Sequence, residues 1–228
     1  MTEQMYVERL RVDCGRTTAT VLMVAEPDRD DAVNDRLAHR LAVHGVAIVR
    51  LPVGDRCATL GCTETALARA VDTIRGAAQH PGERVACVAS GRGVAAALSL
   101  AVGRPELFDA LVLRRIPLAT LGVRTEGLRV LTLFVVGSYE QPDVDFVRSA
   151  VDHIGLVAHV AVVPRATRTL DDAESLCTTA AVVFEWLRAR LAPARRRLAP
   201  VGCGPQHDVG RELFAAAIGR NDDRRDRV

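Results

Sequence analysis

Residues 84–98 read R-V-A-C-V-A-S-G-R-G-V-A-A-A-L. The first six form a short apolar run, the kind that fills a strand buried on both faces of a parallel sheet. Two glycines then flank Arg92, and an apolar, alanine-rich stretch continues to Gly103. Small residues at 89, 91 and 93 let the backbone turn tightly from a strand into a helix. A strand passing straight into a helix sets the class, because each crossover must return the chain to the same end of a parallel sheet.

The same pattern repeats on either side. Upstream, residues 20–25 (TVLMVA) and 46–51 (VAIVRL) read as buried strands. Between them Val33, Leu37 and Leu41 recur at helical spacing over residues 30–44, and Gly45 is a natural helix stop. Residues 7–13 alternate weakly, as an edge strand does. A helix is expected from Thr63, with Leu67, Ala70, Val71 and Ile74 on one face. Downstream, residues 110–113, 130–136 (VLTLFVV) and 157–163 (VAHVAVV) are strands, and residues 143–154 and 171–191 are helices. The expected fold is α/β: an open, doubly wound, mostly parallel sheet of about six to eight strands, with helices on both faces and no large cap domain.

Residues 1–192 make one domain on this reading. Pro193 ends the last long helix, and residues 193–228 form a linker, a short helix over 207–218 and a charged tail. Leu213, Phe214, Ala217 and Ile218 share one side of that short helix. It is expected to dock on its own domain, and it also offers a route to a homo-oligomer.

Composition narrows the function. The net charge of +2 gives no nucleic-acid footprint. No run is long and apolar enough to span a membrane, and the opening MTEQMYVERL lacks the basic start and apolar stretch of a signal peptide. A soluble, cytoplasmic protein is expected. All 30 basic residues are arginine, which removes Schiff-base chemistry through a lysine side chain. The six cysteines (Cys14, Cys57, Cys62, Cys87, Cys177, Cys203) are scattered without zinc-like spacing, so reduced thiols, no metal and no cofactor are expected.

The turn at residues 89–93 resembles the nucleophile elbow of the dienelactone-hydrolase-like branch of the α/β-hydrolases, whose members read G-A-S-T-G-A-A-A-A-L there. Aligning the alanine-rich helix starts puts Gly91 at the nucleophile and Ser90 one position early. Residues 104–114 are similar to the family's next helix-to-strand passage. Residues 131–140 (LTLFVVGSYE) resemble a strand ending in Gly-Gly-Asn-Asp, which puts Glu140 at the triad acid. Residues 163–171 (VPRATRTLD) resemble Pro-Gly-Ala-Thr-His-Leu-Phe, which puts Arg168 at the triad histidine. Residues 184–187 (FEWL) match the closing helix, so the resemblance covers residues 6–192. It implies an α/β-hydrolase fold and, in intact members, ester or lactone hydrolysis.

The triad positions depart from that chemistry. Gly91 carries no nucleophile, and Arg168 stays protonated and is no general base. Residues 25–28 (AEPD) stand where the family has a His-Gly-rich oxyanion turn. Pro27 lacks an N–H, and the carboxylates of Glu26 and Asp28 oppose a developing oxyanion. The leading expectation is therefore a binding or assembly protein, without Ser-His-Asp hydrolysis, that takes a small anionic ligand or a protein partner.

Two enzymatic alternatives stay open. A hydrolase with a rearranged site would use Ser90 or Ser138, but it needs a base. His39, His44, His80 and His153 lie in or beside helices, His159 lies inside a strand, and only His207 in the extension could approach. A lyase or cyclase would use Tyr139 and Glu140 as acid or base in an apolar pocket beside Glu140.

Arg92, Arg114, Arg115, Arg165 and Arg168 fall at or near the strands' carboxyl ends, where α/β sheets bind ligands, and could hold a carboxylate or phosphate. Against this stands ordinary solvated arginine paired with Glu26, Asp28 and Glu140. Residues 91–96 also match G-x-G-x-x-A, but they follow a middle strand. The acidic residue in range, Asp109, precedes the next strand, so a dinucleotide fingerprint is the poorer account. Cys87 and Trp186 read as core.

Overall fold

The apolar runs become the strands of one seven-stranded sheet. The computed structural model describes residues 8–10, 19–25, 31–53, 59–77, 83–139, 141–155, 157–167, 170 and 172–191. The strands are β1 (Glu8–Leu10), β2 (Ala19–Ala25), β3 (Val46–Pro52), β4 (Arg84–Ser90), β5 (Ala110–Arg114), β6 (Thr132–Gly137) and β7 (Ala158–Val163). Their spatial order is β1-β3-β2-β4-β5-β6-β7. Six pair in parallel, and only β1, at the edge, is antiparallel to its neighbour β3. This is the open, doubly wound, mostly parallel sheet expected.

Among the described residues five α-helices lie between strands and a sixth follows β7: α1 (Asp31–Val43), α2 (Leu60–Gly76), α3 (Gly93–Gly103), α4 (Leu118–Arg124), α5 (Gln141–Ile154) and α6 (Ala173–Leu191). They form two layers. Leu67 and Val71 of α2, Val94 and Leu98 of α3, Leu121 of α4, and Val144 and Val147 of α5 pack on one face with Cys87, Leu113 and Phe134. Leu37 and Leu41 of α1, and Val183, Trp186 and Leu187 of α6, pack on the other with Ala86, Val112 and Val135. Alternation along each strand feeds both layers, so the strands read as unbroken apolar runs. Each fully buried Val or Leu contributes roughly 1.5–3 kcal/mol. Trp186 is fully buried, with the Arg190 guanidinium 4.7 Å above its ring.

Three local differences from the sequence reading have physical causes. Helix α2 starts at Leu60, ahead of Thr63, because the Thr59 hydroxyl accepts from the Cys62 N–H and caps the helix. Helix α3 starts at Gly93, since Gly91 and Arg92 form the turn. Helix α4, in a stretch read only as connection, is a short helix entered from Pro117. The expected helix over 207–218, the charged tail, Gly54, Cys14, Cys57 and Cys203 lie outside the described residues.

Candidate functional site

The strands' carboxyl ends carry Gly91, Arg92, Arg115, Ser138, Tyr139 and Arg165 among the residues singled out above. Strand β4 runs into Gly91, whose φ of 56° is left-handed, and Gly93 opens α3 two residues later. The Val94 N–H donates to the Gly91 carbonyl, closing the turn. A Cβ on Gly93 would sit 2.8 Å from Val24 Cγ1 and 3.3 Å from the Val24 carbonyl oxygen. Glycine at 93 is therefore what lets α3 start against the end of β2. The strand-to-helix turn thus has its left-handed residue at Gly91, which bears no side chain. Arg92 follows, exposed, without a side-chain cap on α3.

Ser90 is placed elsewhere. Ala86 and Val88 of the same strand face the α1–α6 layer, and alternation turns Ser90 the same way, beneath the elbow. It is 1% exposed, and its Oγ has no hydrogen-bond partner. Its register partner is Arg114.

Arg114 needs a correction. The sequence reading grouped it with arginines at or near loops, whereas β5 runs one residue further than expected and ends on it. Ala110 and Val112 face the α1–α6 layer, and Arg114 follows them. Its side chain is fully buried, and Nη2 donates to Asn34 Oδ1 on α1 at 3.0 Å. A buried guanidinium is held by the protein itself and is not free to reach a ligand in the cleft.

Arg115 is half-buried with φ 47°, and Arg165 is exposed with φ 54°. Arg165 forms an ion pair with Glu174 in the first turn of α6. Of the five arginines, Arg114 is buried, Arg165 is tied to Glu174, and Arg168 lies outside the described residues. So do Glu26, Pro27, Asp28 and Glu140.

The two loops that would carry an acid and a histidine are zipped together. The Ser138 N–H donates to the Val163 carbonyl at 3.0 Å, and the Tyr139 N–H donates to the Ala166 carbonyl at 3.0 Å. Ser138 Oγ accepts from the Arg165 N–H at 2.8 Å, so that hydroxyl is used in holding the loops. A Cβ on Gly137 would overlap the Thr167 and Ala166 carbonyl oxygens. Tyr139 is 65% exposed.

No described histidine stands at a strand's carboxyl end. His39 is on α1, His44 just after it with its ring edge-on to Phe184 at 4.8 Å, and His153 in the last turn of α5. His159 is the second residue of β7. Burial, and then the nearby Arg190 charge, hold its pKa below the usual histidine value. His80 and His207 lie outside the described residues. Burial pushes the Cys87 thiol well above the usual range, which leaves it unreactive. Among the described residues no group of three or more His, Cys, Asp or Glu is poised to hold a metal, and no helix is long and apolar enough to cross a membrane.

A pocket opens at the β5 and β6 exits. Arg115, Ile116, Leu118, Val136, Asp143 and Val147 are among its lining residues. The sequence reading required an apolar pocket beside Glu140 for a lyase or cyclase, and Glu140 lies outside the described residues. It missed Asp143, whose only sequence signal was an acid in the first turn of a helix.

The fold is matched in solved structures. A dienelactone hydrolase from Anabaena variabilis superposes with a TM-score of 0.67 at 20% identity, over 81% of this chain and 91% of that one. An α/β serine hydrolase homologue from Coxiella burnetii gives 0.64 at 14% identity, over 79% and 90%. The esterase domain of a Rhodothermus marinus protein gives 0.63 at 13% identity, over 82% and 100%. No family model matches the sequence, and no curated protein does. The fold is that of the α/β-hydrolases.

Proposed function

We propose that this α/β-hydrolase-fold protein binds a small anionic ligand at the carboxyl end of its sheet and forms no acyl-enzyme on the elbow. One observation carries the reading: the elbow's apex is Gly91, held at φ 56° in the turn between β4 and α3. Covalent acyl transfer needs a nucleophile with a base in hydrogen-bond reach. The apex supplies no nucleophile, and the nearest hydroxyl, that of Ser90, is buried beneath the turn. What the elbow retains is the start of α3, whose first N–H groups and positive dipole end favour an anion. Arg92 adds an exposed cation there.

A second reading is an ester or lactone hydrolase with a rearranged site. The comparisons favour it over the first, because the structures named are hydrolases and an esterase. Likeness of fold does not fix chemistry, however, and the side chains at the elbow support the first.

Intact-mass analysis after long exposure to a fluorophosphonate probe tests the choice. The expected result is unlabelled wild-type protein. A single adduct that disappears in Ser90→Ala or Ser138→Ala would establish the hydrolase reading instead. Titration with benzoate, followed by NMR, is expected to shift the Gly91, Arg92 and Gly93 amides. Unmoved amides would remove the anion.

A further inference from the structure

The sheet has two edges, and the chain treats them differently. Among the described residues, β1 closes one edge with three residues, Glu8, Arg9 and Leu10. A short strand bearing charge is how proteins keep an edge from pairing with another chain. At the other edge β7 runs for six residues, A-H-V-A-V-V, with no proline and no arginine, aspartate or glutamate. Its Val160 and Val162 are half-buried against the α5 layer, while Ala161 and Val163 are fully buried in the other.

Pairing with β6 assigns the open backbone groups of β7. The Val157 and Val163 carbonyls accept from the Thr132 and Ser138 N–H groups. Odd-numbered residues therefore turn their backbone toward β6, and Ala158, Val160 and Val162 turn theirs outward. The Ala158 N–H is taken by the Gly155 carbonyl at 3.1 Å. Pro164, the next outward position, has no N–H. Val160 and Val162 then each offer one outward donor and one outward acceptor, placed symmetrically about Ala161.

That set is its own complement. Turned about a two-fold axis at Ala161, Val160 meets the partner's Val162 as an antiparallel hydrogen-bonded pair, and the reverse pair forms with it. Four hydrogen bonds result on this geometry, and every N–H and C=O of the two valines is used in both copies. A six-residue strand is about 20 Å long, and a helix about 10 Å across lies on each of its faces. This flank therefore presents about 500 Å² per copy, and two flanks reach the roughly 1,000 Å² that a specific interface needs. The extension is the poorer occupant, because Leu213, Phe214, Ala217 and Ile218 have helical spacing and a helix does not continue a sheet.

We propose that two copies of this chain pair edge to edge through β7, antiparallel about Ala161, so that their two seven-stranded sheets become one. The inference is independent of what the elbow binds.

Sedimentation of the full-length protein over a range of concentrations tests it. The mass is expected to rise from the 24.6 kDa of one chain toward twice that value, with a dissociation constant on the order of micromolar. Val162→Pro removes an outward N–H, which a proline on an edge strand does without breaking the ladder to β6. It is expected to weaken the dimer by about 50-fold or more, through two lost hydrogen bonds. Ala161→Cys sets two thiols across the axis on Cα atoms about 4.5 Å apart, within disulfide reach. Mild oxidation is expected to link position 161 to position 161, as mapped by mass spectrometry.

A wild-type protein that stays monomeric well above that concentration overturns the proposal. So does a dimer that survives in folded Val162→Pro, which would assign association to another surface, or a dimer that gives no link between the two positions 161. If Val162→Pro does not fold, Val160→Lys decides by the same readout, since it sets a charge against the partner's apolar edge.

Discussion

The two ends of the sheet make the same backbone conformation in different ways. At the amino end, Gly45, Gly127 and Gly155 precede β3, β6 and β7 with φ of 75°, 83° and 84°. Glycine adopts this region freely, and it is how the chain leaves a helix or turn for the next strand. At the carboxyl end, Gly91 has φ 56°, but Arg115, Arg165 and Leu170 follow at 47°, 57° or between. Such a residue costs about 1–2 kcal/mol. The amino end is instead secured by side chains in relaxed backbone. Asp109 accepts from the Val85 N–H at 2.8 Å, Arg75 donates to the Glu106 carbonyl at 2.9 Å, and Thr20 donates to Glu83 at 2.7 Å. Among the described residues, the left-handed positions that bear side chains are confined to the carboxyl end.

The hardest blow to that contrast would come at Gly137. Gly137→Ala drives a Cβ into the Thr167 and Ala166 carbonyl oxygens, and a backbone contact has no rotamer to escape into. A loss of about 3 kcal/mol is expected in urea denaturation. A loss below 1 kcal/mol would mean that the β6 and β7 loops are not locked together.

Gly155→Ala isolates the amino-end conformation, because nothing lies within 4 Å of the added Cβ. Its cost should be the left-handed penalty alone, about 1–2 kcal/mol. A neutral result would show that the turn relaxes, and that the glycines there are not required.

Arg165→Gly sharpens the comparison from the other side. It relieves a left-handed arginine whose side chain is 71% exposed and loses an ion pair with Glu174. Exposed pairs contribute little, so a net gain of about 0.5 kcal/mol is expected. A Tm that falls by several degrees would show that the arginine is structural.

The smallest effect is a pH dependence at the amino end. The folded pKa of His159 is depressed, so the unfolded chain binds the proton more readily. Stability is then fully present above the unfolded value of about 6.5 and declines as pH falls from there toward the lower folded value. His159→Gln should flatten the stability profile below about pH 6.5. An identical slope in the variant would assign the dependence to other groups.

Much of this was legible in the residues. Strands buried on both faces announce themselves as apolar runs, and glycine at 91 and 93 announces a tight strand-to-helix turn. The parts that were not legible involve tertiary compensation. Arginine is ordinarily a surface residue, and only the pairing of Ser90 with Arg114 and the bond to Asn34 reveal a guanidinium inside the sheet. Helix α4 has seven residues, with a proline at its N-cap and no side-chain cap, so it carries too little periodicity to be read. Asp143 looked like an ordinary first-turn acid until the fold wrapped it into a pocket.

The burial of Trp186 has a practical side. It is the chain's single tryptophan, and it sits in the α1–α6 layer, across the sheet from the pocket between β5, β6, α4 and α5. Its fluorescence is therefore an internal clock for one layer only. Emission should be blue-shifted and shielded from iodide in the native protein, and should redden when α6 leaves the sheet.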